Sequence, residues 1–240
     1  MKRAALVLGL LAVLAGPAAS ATQPAITVYA ASSLTNVFPK IAPQESYSFA
    51  GSNTLATQIE QGAPGDVFAA ANMTLPQKLH KDGFCGKPIV FTRNKLVIVV
   101  PSANPANIKS IYGLTKQGVS VDIAAPKVPV GAYTQHVLAK LKITGAVMKN
   151  VVSEETDVRS VLSKVALGEV DAGFVYATDA RTVAGQVKVV RIPASAQPII
   201  RYGICVVTGS AHKDAARAFI NVVLGPTGQK QLLKAGFLSP

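Results

Sequence analysis

From Ile26 onward, short β-rich runs alternate with stretches of helical spacing, and no low-complexity linker interrupts them. Ile26-Thr27-Val28-Tyr29-Ala30 reads as a strand. Ser32-Ser33 then precede Leu34, Val37, Phe38 and Ile41 at helical spacing, with Pro39 making that helix short or kinked. A strand over 47–50 leads through Gly51-Ser52-Asn53 into a helix carrying Leu55 and Ile59, which Gly62 and Pro64 stop. A strand over 66–70 and a helix over 75–81 complete a βαβαβα series, the signature of an α/β sheet with mostly parallel strands. A second such unit follows: strands over 96–100 and 119–124, a helix over 132–141, a strand near Val151, a helix over 157–167 and a strand over 172–176. Strands over 187–192 and 199–207 and two helices over 211–223 and 228–233, parted by Gly225-Pro226, end the chain. Two units without a linker imply that one is inserted into the other. The expected crossings fall near Arg93 and Ile204, giving lobe I from 22–92 plus 204–240 and lobe II from 93–203. A ligand is then expected between the lobes, at the carboxyl ends of the strands.

Residues 1–21 read as an address. Lys2 and Arg3 precede a small-apolar run over 4–15, Gly16-Pro17 breaks it, and Ala19-Ser20-Ala21 offers a cleavage site after Ala21. The run is shorter than the ~20 residues a membrane-spanning helix needs, and no Cys follows for lipid attachment. The reading is a signal peptide and a soluble, periplasmic product. Such a compartment permits a disulfide, but the sequence leaves open whether Cys85 and Cys205 pair or Cys205 is a buried small apolar residue.

Composition removes several chemistries. At 49% hydrophobic and 15% charged residues the chain is too apolar for disorder. Two Cys exclude a four-Cys zinc site, and His80, His136 and His212 are scattered with no H-E-x-x-H pair. Neither a P-loop, nor G-x-G-x-x-G, nor G-x-S-x-G occurs. The formal charge of +12 is dispersed, with no basic run longer than Lys2-Arg3 and only 6% aromatics, so no nucleic-acid partner is expected. It reads as a solvated basic surface or as a field that speeds encounter with a small anion.

Four strand-to-helix turns carry the functional signal: Tyr29 to Ser33, Phe49 to Thr54, Pro129 to Ala132 and Glu154 to Val158. A helix N-terminus presents unpaired N–H groups and a partial positive charge, so several converging ends make an anion site without Lys or Arg. Taken singly, each turn is equally an ordinary N-cap worth ~1 kcal/mol.

These residues resemble the molybdate-binding periplasmic proteins, the substrate-binding subunits of molybdate ABC transporters. The likeness runs through the segment from Ile26 to Thr35, with its Ser32-Ser33 turn, and the one from Ser48 to Leu55, with Ser52. It continues through 58–68, Val128-Pro129-Val130-Gly131-Ala132-Tyr133, Asp157-Val158-Arg159 and 168–180. The resemblance implies a type II periplasmic binding protein of two lobes, each a mostly parallel sheet flanked by helices, with two crossover strands at the hinge. It implies capture of molybdate and tungstate by hinge closure, delivery to a membrane permease, a monomer, no catalytic residue, no cofactor and no direct protein ligand to molybdenum. Ser33 and Ser52 would give hydroxyl and N–H groups, Val130 and Val158 backbone N–H groups, and Tyr176 its phenol, with Ser32 and Asn53 as further contacts. The sequence departs from the family at Asn53, where a small Ser or Gly is usual, at Val130, where Ala is usual, and at Asn72, where Asp is common. The alternatives are a binder of sulfate or phosphate on the same fold and a serine hydrolase; for the latter, neither Ser33 nor Ser52 has a His nearby in sequence.

Overall fold

The computed structural model describes residues 25–240, so the expected signal peptide lies outside the described residues. The chain begins with β1 (Thr27–Ala31), a 3-10 turn (Ser32–Leu34), α1 (Phe38–Ile41), β2 (Ser46–Ala50), α2 (Ser52–Glu60), β3 (Val67–Ala70), α3 (Thr74–Lys81) and β4 (Ile89–Asn94). It continues with β5 (Leu96–Pro101), β6 (Val121–Ala124), α4 (Pro129–Lys140), α5 (Thr144–Met148), β7 (Val151–Glu155), α6 (Val158–Ala166), β8 (Ala172–Tyr176), α7 (Ala177–Thr182) and β9 (Val187–Arg191). It closes with β10 (Ile200–Val206), α8 (Lys213–Leu224) and α9 (Pro226–Ala235).

Two five-stranded sheets result, ordered β2-β1-β3-β10-β4 and β7-β6-β8-β5-β9. Within the first, β1 is parallel to β2 and β3, and β10 runs against both β3 and β4. Within the second, β6 is parallel to β7 and β8, and β5 runs against β8 and β9. Each lobe therefore has one reversed strand, and it is the strand the chain enters on arriving from the other lobe. The helices cover the sheet faces, so the central strands are buried and nearly all apolar.

The chain changes sheets first at Lys95, between β4 and β5. The second change does not fall near Ile204. β10 pairs with β4 from Ile200 onward, so 200–203 belong to the first lobe and the crossing lies over 192–199. The reason is that Pro193 and Pro198 lack the N–H a ladder needs, so the chain crosses there and not inside the apolar run that follows. Gln197 ties the two crossings together: its Oε1 accepts from Leu96 N–H at 3.3 Å and its Nε2 donates to the Leu96 carbonyl at 2.6 Å. Two further differences from the sequence reading are β4, which it left out, and the short helices α5 and α7.

One apolar cluster runs through both lobes; a second, built on Tyr29, Leu55, Ile59, Phe68 and Leu79, lies between the first sheet and α2 and α3. Cys85 and Cys205 are in this second cluster and form a disulfide, with Cα atoms 6.1 Å apart and 120 residues between them in sequence. The bond lies within the first lobe but closes a loop that contains the whole second lobe. No helix among the described residues is long and apolar enough to cross a membrane.

Candidate functional site

Each of the four turns ends a strand at the edge facing the other lobe. After β1 the backbone tightens into the 3-10 turn, where the Thr35 hydroxyl donates to the Ser32 carbonyl at 2.7 Å. Ser52 is not a cap: it is the first residue of α2, the cap position is Gly51, and no side chain caps the helix. α4 starts at Pro129 after Val128, again without a side-chain cap. Only α6 is capped, by Asp157, which accepts from Arg159 N–H at 2.7 Å and Ser160 N–H at 3.3 Å. Those are the second and third amides of the helix, which leaves the first, that of Val158, without a capping side chain. The capping explanation therefore holds for one turn of the four.

The four turns converge. Ala31, Ser32, Ser33, Ala50, Gly51, Ser52 and Ala71 from the first lobe, and Val128, Pro129, Val130, Val158 and Tyr176 from the second, enclose a small pocket of about 10 Å³. The structure thus brings together Ser32, Ser33, Ser52, Val130, Val158 and Tyr176, all of them buried. Asn53 is not in the wall. As the second residue of α2 it is turned about 100° from Ser52, and its Oδ1 sits against Gly51. No charged side chain lines the pocket. Its walls are small side chains and hydroxyls, and larger depressions elsewhere, such as one of about 460 Å³ beside β10 and α8, lack this convergence.

The hydroxyls are arranged as donors. Ser52 Oγ accepts from Ala71 N–H at 3.1 Å, so its own proton remains to be placed. Tyr176 Oη is buried and has no hydrogen-bond partner among the described residues. Burial, with Tyr202 nearby, pushes the Tyr176 phenol well above its ordinary range, so it stays protonated. Ser33 Oγ lies 3.0 Å from Tyr202 Oη, which itself accepts from Asn94 Nδ2 at 3.3 Å. Protonated hydroxyls and first-turn amides suit an anion that brings only acceptors.

The lobes are closed over this pocket. Gly51 faces Thr156 so tightly that a Cβ would stand 2.3 Å from the Thr156 carbonyl oxygen. Arg159 reaches across from α6: its Nη2 donates to Asn36 Oδ1 of the first lobe at 2.6 Å, while its Nε lies 3.0 Å from Asp179 Oδ1 in its own lobe. Burial raises the Asp179 carboxyl to about 7 against the opposing pull of Arg159. Sequence reasoning missed Ala71, Tyr202, Asn94 and the Arg159–Asn36 bridge. Arg159 alone carried a signal, as part of the Asp157-Val158-Arg159 block. No cluster of three or more His, Cys, Asp or Glu suited to a metal ion exists among the described residues.

A two-lobed chain that closes neutral donors around a small pocket is a solute-binding protein. Residues 26–238 match the model of the bacterial extracellular solute-binding protein family. The molybdate-binding protein ModA of Mycobacterium tuberculosis (strain ATCC 25618 / H37Rv) is 37% identical over 236 residues, covering 94% of this chain and 88% of that protein. ModA of Escherichia coli (strain K12) is 33% identical over 240 residues, covering 91% of each. The periplasmic molybdate-binding protein of Azotobacter vinelandii shares the fold, with a TM-score of 0.79 at 24% identity over 90% of this chain and 99% of that one. The chain belongs to the bacterial extracellular solute-binding protein family, and it is a binding protein, not an enzyme.

Proposed function

We propose that the protein captures molybdate, and also tungstate, in the periplasm and hands it to the permease of an ABC importer. The observation that carries this is the uncharged, donor-lined pocket, in which the buried Tyr176 hydroxyl has no protein partner among the described residues. Ser33 and Ser52 give their hydroxyls, Val130 and Val158 their amides, and Tyr176 its phenol; Ser32 lines the same wall. Each donor to a charged oxygen is worth ~1.5–3 kcal/mol net, and part of that sum offsets desolvation of the dianion and closure of the hinge. Sulfate has the same charge and shape, so rejecting it depends on pocket size, which the interlobe contact at Gly51 holds small. The chain acts as a monomer, exported and cleaved after Ala21.

Thermal unfolding of the mature protein with molybdate, tungstate, sulfate and phosphate in turn tests this. A specific ligand at a hundredfold excess over Kd adds ~2.7 kcal/mol, which raises Tm by ~5–10 °C in a chain of this size. The sequence has no Trp, so calorimetry is the suitable readout. A Tm that molybdate leaves unmoved would refute the proposal. N-terminal sequencing of the exported protein should begin at Thr22.

A further inference from the structure

We propose that Tyr202 and Asn94, neither of which lines the pocket, determine which way the Ser33 proton points and so make the site reject an oxyanion that carries a proton. This rests on the reading of the pocket as a tetrahedral oxyanion site. Donors and acceptors pair off one by one along a buried chain from the hinge to the ligand wall. Lys95 N–H donates to Asn94 Oδ1 at 2.9 Å, which settles the orientation of the amide: its nitrogen faces inward. That nitrogen has two protons, and it donates to Thr178 Oγ1 at 2.9 Å and to Tyr202 Oη at 3.3 Å. Tyr202 is fully buried, so its own proton requires an acceptor. Of the two groups within hydrogen-bond geometry of Tyr202 Oη, Asn94 Nδ2 is already a donor and Ser33 Oγ at 3.0 Å is what remains, since the neighbouring Tyr176 Oη makes no hydrogen bond among the described residues. The Tyr202 proton therefore points at Ser33. Ser33 cannot donate back, and its hydrogen is left for the pocket.

Asn94 ends β4 just before the first crossing, Tyr202 lies on β10 just after the second, and Thr178 is in α7 of the other lobe. The hinge itself thus holds Ser33 as a donor. Were the chain reversed, with Ser33 donating to Tyr202, Ser33 would show the ligand only lone pairs. It would then repel molybdate oxygens and accept the P–O–H proton of hydrogen phosphate. Backbone packing in the second serine turn acts in the same sense, because Ala71 N–H occupies Ser52 Oγ.

Two substitutions test this by calorimetry under mildly alkaline conditions, where molybdate and sulfate carry no proton and inorganic phosphate is a dianion carrying one. Asn94→Asp exchanges the inward donor for an acceptor, which draws the Tyr202 proton away and turns the Ser33 proton toward Tyr202. Tyr202→Phe keeps the ring and its packing but frees Ser33 to present either its proton or a lone pair. In both variants, with phosphate measured by competition, the ratio of phosphate to molybdate dissociation constants should fall by about tenfold or more, the equivalent of one charged hydrogen bond. The ratio of sulfate to molybdate, which depends on size, should stay within about twofold. Equal weakening of all three anions, or an unchanged phosphate ratio, would overturn the relay alone. A wild-type protein that binds none of the three would overturn the reading of the pocket, and the relay with it.

Discussion

Tyr176 and Asp122 are two buried polar side chains without hydrogen-bond partners among the described residues, and the structure assigns them opposite consequences. The phenol of Tyr176 faces the pocket, where a ligand supplies what the protein does not. Tyr176→Phe should weaken molybdate binding by ~10–100-fold, the loss of one donor to a charged acceptor. It should leave the unliganded protein no less stable, since no protein bond is broken; a thermal scan and a titration check both halves. Asp122 lies in β6 and does not line the pocket. Burial, then Glu155, raises its carboxyl to about 7, against the opposing charge of Lys164. Between about pH 4 and 7 the folded chain holds this proton and the unfolded chain does not. Stability therefore falls as pH rises through that window and levels off above it. Asp179, also raised to about 7, acts in the same direction. Asp122→Asn keeps the neutral form at every pH. Denaturant unfolding at about pH 5 and pH 8 should show the variant gaining ~1–4 kcal/mol at the higher pH and losing part of the wild-type slope. Equal destabilisation at both pH values would mean that the site does not hold a neutral carboxyl.

Among the elements, the turn before α2 sets how far the lobes can close. Gly51 has φ −58° and ψ 135°, a conformation any residue adopts, so alanine there strains no backbone, and the Asn53 Oδ1 beside it is a side-chain end that can turn away. What alanine meets is the Thr156 backbone across the gap, and a backbone oxygen cannot swing aside as a side chain can. Gly51→Ala should cost ~1–3 kcal/mol of closure, seen as ~10–100-fold weaker molybdate binding with an almost unchanged unliganded Tm. X-ray scattering should then show little compaction on adding ligand; full compaction would contradict the assignment. The same elements show what local pattern reveals. β8 and β5 were legible because central strands, buried on both faces, read as unbroken apolar runs. β4 was not, because its Thr92-Arg93-Asn94 end is polar and its partner β10 is distant in sequence. α7 begins directly from β8 with no turn signal between, since Tyr176 itself occupies the cap position. The serine turns announced the pocket, but Tyr202 sits within an apolar strand and Asn94 in an unrecognised one. Their roles arise only when the crossings bring them beneath Ser33.

At the scale of the whole molecule, two forces act on both lobes at once: the covalent closure at Cys85–Cys205 and the net positive charge. A disulfide spanning a loop of this order removes about 4–5 kcal/mol of unfolded-state entropy in the chain-entropy model, so a Cys85→Ser, Cys205→Ser pair should unfold with a stability lower by ~2–5 kcal/mol. Because the bond is confined to the first lobe, molybdate affinity measured below the unfolding range should be retained. The charge acts on the approach and not on the seat. Lys40, Arg181 and Lys234, together with the Asp179-paired Arg159, line a cleft of about 280 Å³ that shares Ser33 with the pocket. No carboxylate lies within ion-pair distance of those three free cations among the described residues. A dianion approaching that face is drawn in over a Debye length, ~8–10 Å at ordinary salt, and then leaves the screened region for a neutral, buried site. Stopped-flow capture should slow as salt increases while the release rate hardly changes, because release breaks short hydrogen bonds that mobile ions do not reach. Changing Lys40, Arg181 and Lys234 together to Gln should flatten that salt dependence and leave the release rate as it was. If the triple variant kept the full salt slope, the attraction would have to come from the dispersed surface charge, and the cleft beside Ser33 would have no part in bringing the anion in.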